Sequence, residues 1–135
     1  MQPSKGTDKT ILVVDDEARV RSALTQLLED EGYQVAVVRN GQEAIDYLAQ
    51  SATAPCLILL DLMMPELSGV QFRTYQQSHA ALARIPVVAM SASLYLAQAV
   101  EVLGVTEYLH KPFDVDALLA IVARHCGYGN VLDGR

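Results

Sequence analysis

The pair Asp15–Asp16, then Asp61, Ser91 and Lys111, are residues whose types together could handle a phosphoryl group. Each ends a strand-like run: "ILVV" leads into Asp15, "LILL" into Asp61, "IPVVAM" into Ser91 and "EYLH" into Lys111. Burying an ionised carboxylate costs several kcal/mol unless something compensates. Asp61, at the mouth of the most hydrophobic stretch, therefore calls for a partner. Singly, each residue has an ordinary explanation. "DDE" before a helix serves as an N-cap with acids favouring the helix dipole; Asp61 could cap a turn, Ser91 begin a helix, and Lys111 be a solvated surface charge. Their joint placement at strand ends is harder to explain that way.

Three carboxylates gathered in one place repel: at an effective dielectric of ~20, two unit charges ~5 Å apart cost about 3 kcal/mol. A divalent cation between them relieves this. All-oxygen ligation with open positions suits Mg²⁺, with Mn²⁺ as the alternative. The cluster contains no His or Cys, which argues against zinc or copper. A carboxylate beside such a cation can attack phosphorus and form an aspartyl phosphate. A lysine and a hydroxyl would then stabilise the transferring phosphoryl oxygens.

These residues need elements that bring them to one edge. Thr10–Val14 ("TILVV") reads as a fully buried strand. A helical pattern follows, with Val20, Ala23, Leu24, Leu27 and Leu28 on one face and Gly32 as its stop. Residues 33–38 ("YQVAVV") form a second, less apolar strand nearer an edge. Asn40–Gly41 precedes a short helix that turns Ala44, Ile45 and Leu48 inward. Residues 57–60 are apolar throughout, so this third strand is central and covered on both faces. A helix around 70–77, a strand in "IPVVAM", a helix near Leu96–Leu103 and a strand "EYLH" come next. Asp114 caps a last helix that buries Val115, Leu118, Leu119 and Val122. Five buried strands alternating with five helices imply an α/β, doubly wound parallel sheet with right-handed crossovers. Ligands of such sheets sit beyond the carboxyl ends of the strands.

Composition narrows the function classes. At 135 residues the chain fits one domain with its own core, and half its residues are apolar. A net charge of −6 argues against nucleic-acid binding, which needs a basic face. No apolar run reaches the ~18–20 residues of a membrane span. The polar start, residues 1–9, lacks a signal-peptide pattern and reads as a loose tail; 127–135 reads as a second tail, too short for an output domain. Cys56 and Cys126 have no metal or CxxC spacing and are expected to be buried, reduced thiols of a cytoplasmic protein.

The stretches "ILVVDDE", "LILLDLMMPELSG", "IPVVAMSA" and "GVTEYLHKPF", in this order and covering residues 10–126, resemble the receiver domain of bacterial two-component response regulators. The resemblance implies a flavodoxin-like fold with strand order 2-1-3-4-5, the order known for such receivers. It implies that Asp61 is the phosphoacceptor and that Asp15, Asp16, Asp61 and the Met63 backbone carbonyl surround Mg²⁺, Asp15 mainly through water. Ser91 and Lys111 would contact the phosphoryl group, Tyr108 would be the switch aromatic, and Lys111–Pro112 would be a cis bond. The donor would be a histidine kinase or a histidine phosphotransfer protein of a phosphorelay. Output would pass to a protein target through the face of the fourth helix, fifth strand and fifth helix, with a homodimer as one option. Such a domain is not an enzyme beyond catalysing its own phosphorylation and dephosphorylation.

Two departures stand out. The segment from Ser91 to Lys111 is slightly shorter than the family pattern, and the fourth helix, "LYLAQAVEVLG", is unusually apolar, with Glu101 its only charge. Three other readings compete. A degenerate receiver would act as a phosphorylation-independent interaction module. A haloacid-dehalogenase-type phosphatase needs a second acid two residues after the nucleophile, where this chain has Met63. A flavin or dinucleotide binder needs a phosphate loop after the first strand, where "DDEARV" would repel phosphates.

Overall fold

The computed structural model describes residues 9–63, 68–93, 95–105 and 107–127. The tail expectations for residues 1–8 and 128–135, and Met64 and Pro65 of the "LMMPE" stretch, lie outside the described residues. In chain order the elements are β1 (Thr10–Val14), α1 (Ala18–Asp30), β2 (Gln34–Val38), α2 (Gly41–Gln50) and β3 (Leu57–Asp61). They continue with α3 (Gly69–Gln77), α4 (Ala80–Ala83), β4 (Val87–Ser91), α5 (Leu96–Leu103), β5 (Glu107–His110) and α6 (Val115–Cys126).

The strands form one parallel sheet in the order β2-β1-β3-β4-β5. Every residue of β1, β3 and β4 is buried, which is why these strands are apolar without alternation. The half-exposed β2 lies at an edge, as its mixed composition predicts.

Alternate strand residues feed two cores. On one face Leu12, Val14, Ile58, Leu60 and Ala89 pack with Ala44 and Leu48 of α2, Phe72 of α3, and Leu96, Val100 and Leu103 of α5. On the other, Ile11, Val13, Leu57, Leu59, Val88 and Met90 pack with Leu24 and Leu28 of α1 and Leu118 and Val122 of α6.

Three local expectations change. Among the described residues there are six helices where five were expected; α4 is one turn of four residues, too short for periodicity to reveal. Its carboxyl end is held by Gln76 Nε2, which donates to the carbonyls of Leu82 (2.8 Å) and Ile85 (3.0 Å). Asp114 occupies the N-cap position of α6, but its side chain makes no capping hydrogen bond. The two cysteines are not free thiols: Cys56, just before β3, and Cys126, the last residue of α6, form a disulfide with Cα atoms 5.4 Å apart. Because α6 runs antiparallel to β3, its last residue meets the residue before β3, and two positions 70 apart come together, which no local spacing could signal.

Phe72 is fully buried at the centre of the first core. Phe72→Ala is expected to cost about 3–5 kcal/mol, read as a lower urea midpoint with an unchanged m-value.

Candidate functional site at the carboxyl edge of the sheet

Backbone pairing sets the positions of the site residues. Val14 of β1 pairs with Leu60 of β3, so the next residues, Asp15 and Asp61, leave the sheet side by side. The Asp15 N–H continues the ladder to Val38 O at 3.2 Å, and the Leu62 N–H does so to Met90 O at 3.1 Å. Ser91 pairs with His110, and the next N–H, that of Lys111, donates to Ser91 O at 2.9 Å. Parallel strands ending in step thus deliver four side chains to one edge.

Lys111 Nζ sits among the carboxylates, 2.7 Å from Asp15 Oδ2, 3.4 Å from Asp61 Oδ2 and 3.3 Å from Glu17 Oε1. Asp15 is completely buried and Asp61 is 3% exposed, whereas Asp16 is open to solvent. The remaining oxygens of the buried pair are also satisfied. Asp15 Oδ1 accepts the Glu17 N–H at 2.9 Å, and Asp61 Oδ1 accepts the Met63 N–H at 3.0 Å. Asp15, Asp16 and Asp61 each offer one carboxylate oxygen within 4.8 Å of the others. This all-oxygen, partly solvent-open donor set fits a hard divalent cation better than a soft one.

Burial pushes the Asp61 pKa up to about 6, reinforced by the Asp15 charge and opposed by the Met63 N–H and by Lys111. Burial pulls the Lys111 ammonium the other way. Its hydrogen bond to Asp15, the charges of Asp61 and Asp15, and Glu17 outweigh that pull and leave its pKa above the usual lysine value.

Ser91 is buried, and its Oγ accepts the Ser93 N–H at 3.0 Å, which leaves its own proton to donate elsewhere. Tyr108 pairs in register with Ala89, two residues before Ser91 on the same face of β4, and its side chain is 44% exposed. Lys111–Pro112 is a cis peptide. Met63 has an exposed side chain, while its backbone N–H reaches the Asp61 carboxylate.

Reading the sequence missed three supporting residues. Glu17, the third acid of "DDE", reaches Lys111. Arg21 Nη1 donates to the Asp15 carbonyl at 2.9 Å, and its only signal is its place one turn into α1. Gly69 opens α3 directly against β3. A Cβ there would lie 2.3 Å from the Asp61 carbonyl oxygen and 2.7 Å from Leu62 Cα.

Comparison with known proteins settles the family. The model of the response regulator receiver domain matches residues 11–123. The chain belongs to the response regulator receiver domains. It is 37% identical over 116 residues to the regulatory protein AtoC of Escherichia coli, covering 84% of this chain and 24% of that protein. It is also 37% identical over 116 residues to the response regulator Rre1 of Synechocystis sp., covering 84% of this chain and 49% of that protein. The receiver thus spans half or less of these two curated relatives. Among solved structures it resembles the receiver domain of the sensor histidine kinase PA1611 from Pseudomonas aeruginosa. The TM-score is 0.77 at 27% identity, over 89% of this chain and 98% of that one. That structure carries a magnesium ion coordinated in its active site cleft.

The raised Asp61 pKa has a definite consequence for this receiver's stability. Its folded value lies above the ordinary carboxylate value, so folding favours the protonated acid. That contribution is complete below about pH 4 and is lost as pH rises through about 6. In metal-free buffer, Asp61→Asn should be more stable than the parent at about pH 7.5 by about 1–2 kcal/mol. This figure is reduced for solvent screening from the ~3 kcal/mol of the full shift. Thermal unfolding against pH should show the difference vanish below about pH 4. Gly69→Ala, which forces backbone apart, should destabilise by about 1–3 kcal/mol in urea unfolding.

Proposed function

We propose that Asp61 accepts a phosphoryl group from a phosphohistidine donor and that the phosphorylated receiver changes conformation to control a protein partner. The reading rests above all on one observation: a buried carboxylate held within reach of a lysine and two further acids at the end of the central strand. Asp15, Asp16, Asp61 and the Met63 backbone carbonyl would hold Mg²⁺, with Mn²⁺ as the alternative. The bound cation would supply positive charge to the transferring phosphoryl oxygens.

The chain's own groups do the rest. An Asp61 carboxylate oxygen attacks phosphorus while the bond to the donor imidazole nitrogen breaks. The Lys111 ammonium, already on Asp61 Oδ2, moves onto a phosphoryl oxygen, and the Ser91 hydroxyl donates to another. Ser91 Oγ then releases the Ser93 N–H. Ser93 Oγ in turn accepts the Tyr95 N–H at 3.0 Å, just before α5, so this rearrangement is passed to that helix. Tyr108, on the same face as Ser91, would turn inward as Ser91 moves.

A groove of about 630 Å³ opens beside Lys111, between Val20, Leu24 and Leu27 of α1 and Pro112, Phe113 and Leu118. Its apolar walls next to the reacting carboxylate suit the docking of a kinase or phosphotransfer protein that carries the phosphohistidine. The downstream target would read the α5, β5 and α6 face, where Tyr95 and Val102 are 71% and 86% exposed. The same reading makes the cytoplasm the working compartment. Among the described residues no helix is long and apolar enough to cross a membrane.

Incubation with acetyl phosphate, with and without Mg²⁺, followed by intact mass, tests the proposal. One phosphoryl group should be gained only with Mg²⁺ and be lost in Asp61→Asn. Labelling that persists in EDTA or in Asp61→Asn would overturn it, as would no labelling under any condition, the outcome expected of a phosphorylation-independent interaction module. Lys111→Ala should retain Mg²⁺ affinity, measured by calorimetry, because it removes a competing cation and no ligand. Its conformational response to phosphorylation should be impaired.

A further inference from the structure

We propose that the Cys56–Cys126 disulfide is a reversible thiol switch that governs how firmly the carboxyl end of α6 is held to the sheet. The bond lies at the amino edge of the sheet, one residue before β3 begins, so the length of a five-residue strand separates it from Asp61. That distance is ~16 Å at ~3.3 Å per residue. The two sulfurs belong to the only cysteines in the chain, so no alternative pairing competes.

Three features favour a reversible bond over a permanent staple. First, the fold does not depend on it. Two continuous cores cover both faces of the sheet, and a domain of this length ordinarily folds without a cross-link. Second, the reduced state is already accommodated. Cys56 Sγ lies 3.5 Å from the Thr10 carbonyl oxygen, so a thiol formed there has an acceptor, and Cys126 would remain among the apolar residues of the second core. Third, Cys126 is the last residue of α6. Both cysteines are buried, at 5% and 7% residue exposure, but fraying of a single terminal turn would expose one of them without opening the sheet. A fourth argument, which rests on the phosphoacceptor reading, is that disulfides in a reducing compartment are mostly transient and regulatory.

Other ties remain when the bond opens. Tyr33 Oη donates to the Gly127 carbonyl at 2.5 Å, and Arg124 and His125 both pair with Glu107 of β5. Reduction therefore loosens the last turn of α6 without releasing the helix. The reaction needs an external dithiol. Its thiolate attacks one sulfur, the Sγ–Sγ bond breaks, and the other cysteine leaves as a thiolate and takes up a proton. The second thiol of the reductant then displaces the mixed disulfide. The protein gains two electrons and two protons, and the reductant closes its own disulfide.

The test is a titration of the native full chain in mixtures of reduced and oxidised dithiothreitol, with acid quenching, maleimide trapping and intact mass. Zero and two labels should interconvert fully in both directions, with circular dichroism unchanged. The reduced form should melt about 10 °C lower, and its amide exchange should quicken in residues 119–126. Cys56→Ser should take one label under every condition and melt like the reduced parent. Two labels in fully oxidised buffer would show that no bond forms. Zero labels in reduced buffer until denaturant is added would show a permanent staple. Either result overturns the proposal. Phosphoryl labelling plays no part in these readouts, so Asp61→Asn should titrate as the parent does, whatever becomes of the phosphoacceptor reading.

Discussion

One ammonium group, Lys111 Nζ, lies against two carboxylates that the sheet buries at neighbouring register positions, 2.7 Å from Asp15 and 3.4 Å from Asp61. Without a cation the two acids would repel across a gap they cannot widen, because β1 and β3 pair residue for residue up to Val14 and Leu60. Removing one partner of a buried ion group leaves uncompensated charge, which costs more than the pair itself contributes. The lysine arrives from the end of β5, separated from β3 by the whole of β4, and its backbone is anchored on Ser91 O. Placing a long flexible side chain there gives the site a resident counter-charge that can shift from one oxygen to another.

The surroundings of the pair bind α5 to the site at both ends. At its start, hydrogen bonds run from Ser93 N–H to Ser91 Oγ and from Tyr95 N–H to Ser93 Oγ. At its end, Arg73 Nε and Nη2 donate to the carbonyls of Leu103 and Gly104, both at 3.1 Å, and Gln77 Nε2 adds a third bond to Leu103 O. Those side chains come from α3, whose first residue, Gly69, rests on the Asp61 carbonyl. The carbonyls at a helix carboxyl end are unsatisfied by the helix itself and carry partial negative charge, so a guanidinium there is a natural partner. Two separate sets of hydrogen bonds thus hold α5, one at each end, next to the edge that carries Asp61.

Much of this architecture was legible because its signals are local. The run "TILVV" is β1 to the residue, and "EYLH" is β5 to the residue. An all-apolar 57–60 placed β3 at the centre, and the polar residues that end such runs had to meet once the sheet was parallel. What escaped depends on tertiary placement. The carbonyl contact that Gly69 makes room for is invisible until α3 is laid against β3, and the disulfide joins the start of β3 to the end of α6. The one-turn α4 is too short to show a period and is held by Gln76, a buried amide with no sequence signature. One local signal was overlooked: Ser68 and Gln71 form a capping box that fixes the start of α3.

The strands around the acidic edge differ in how firmly they are held, and β3 is held most firmly. This strand is hydrogen-bonded on both sides and buried on both faces along its whole length, so it has no softer packing to move into. The edge strand β5 is paired on one side only, and its residues are partly exposed except Leu109. Next to it, α5 spans eight residues and leaves Val102 almost fully in water. On the proposed reading, a cation rearranged at Lys111 would find little compliance in the centre of the sheet and more at the β5 edge. That edge carries Tyr108, and the loop after it carries the lysine itself. On that reading, the same burial that raises the Asp61 pKa would direct its influence outward, to these less confined elements.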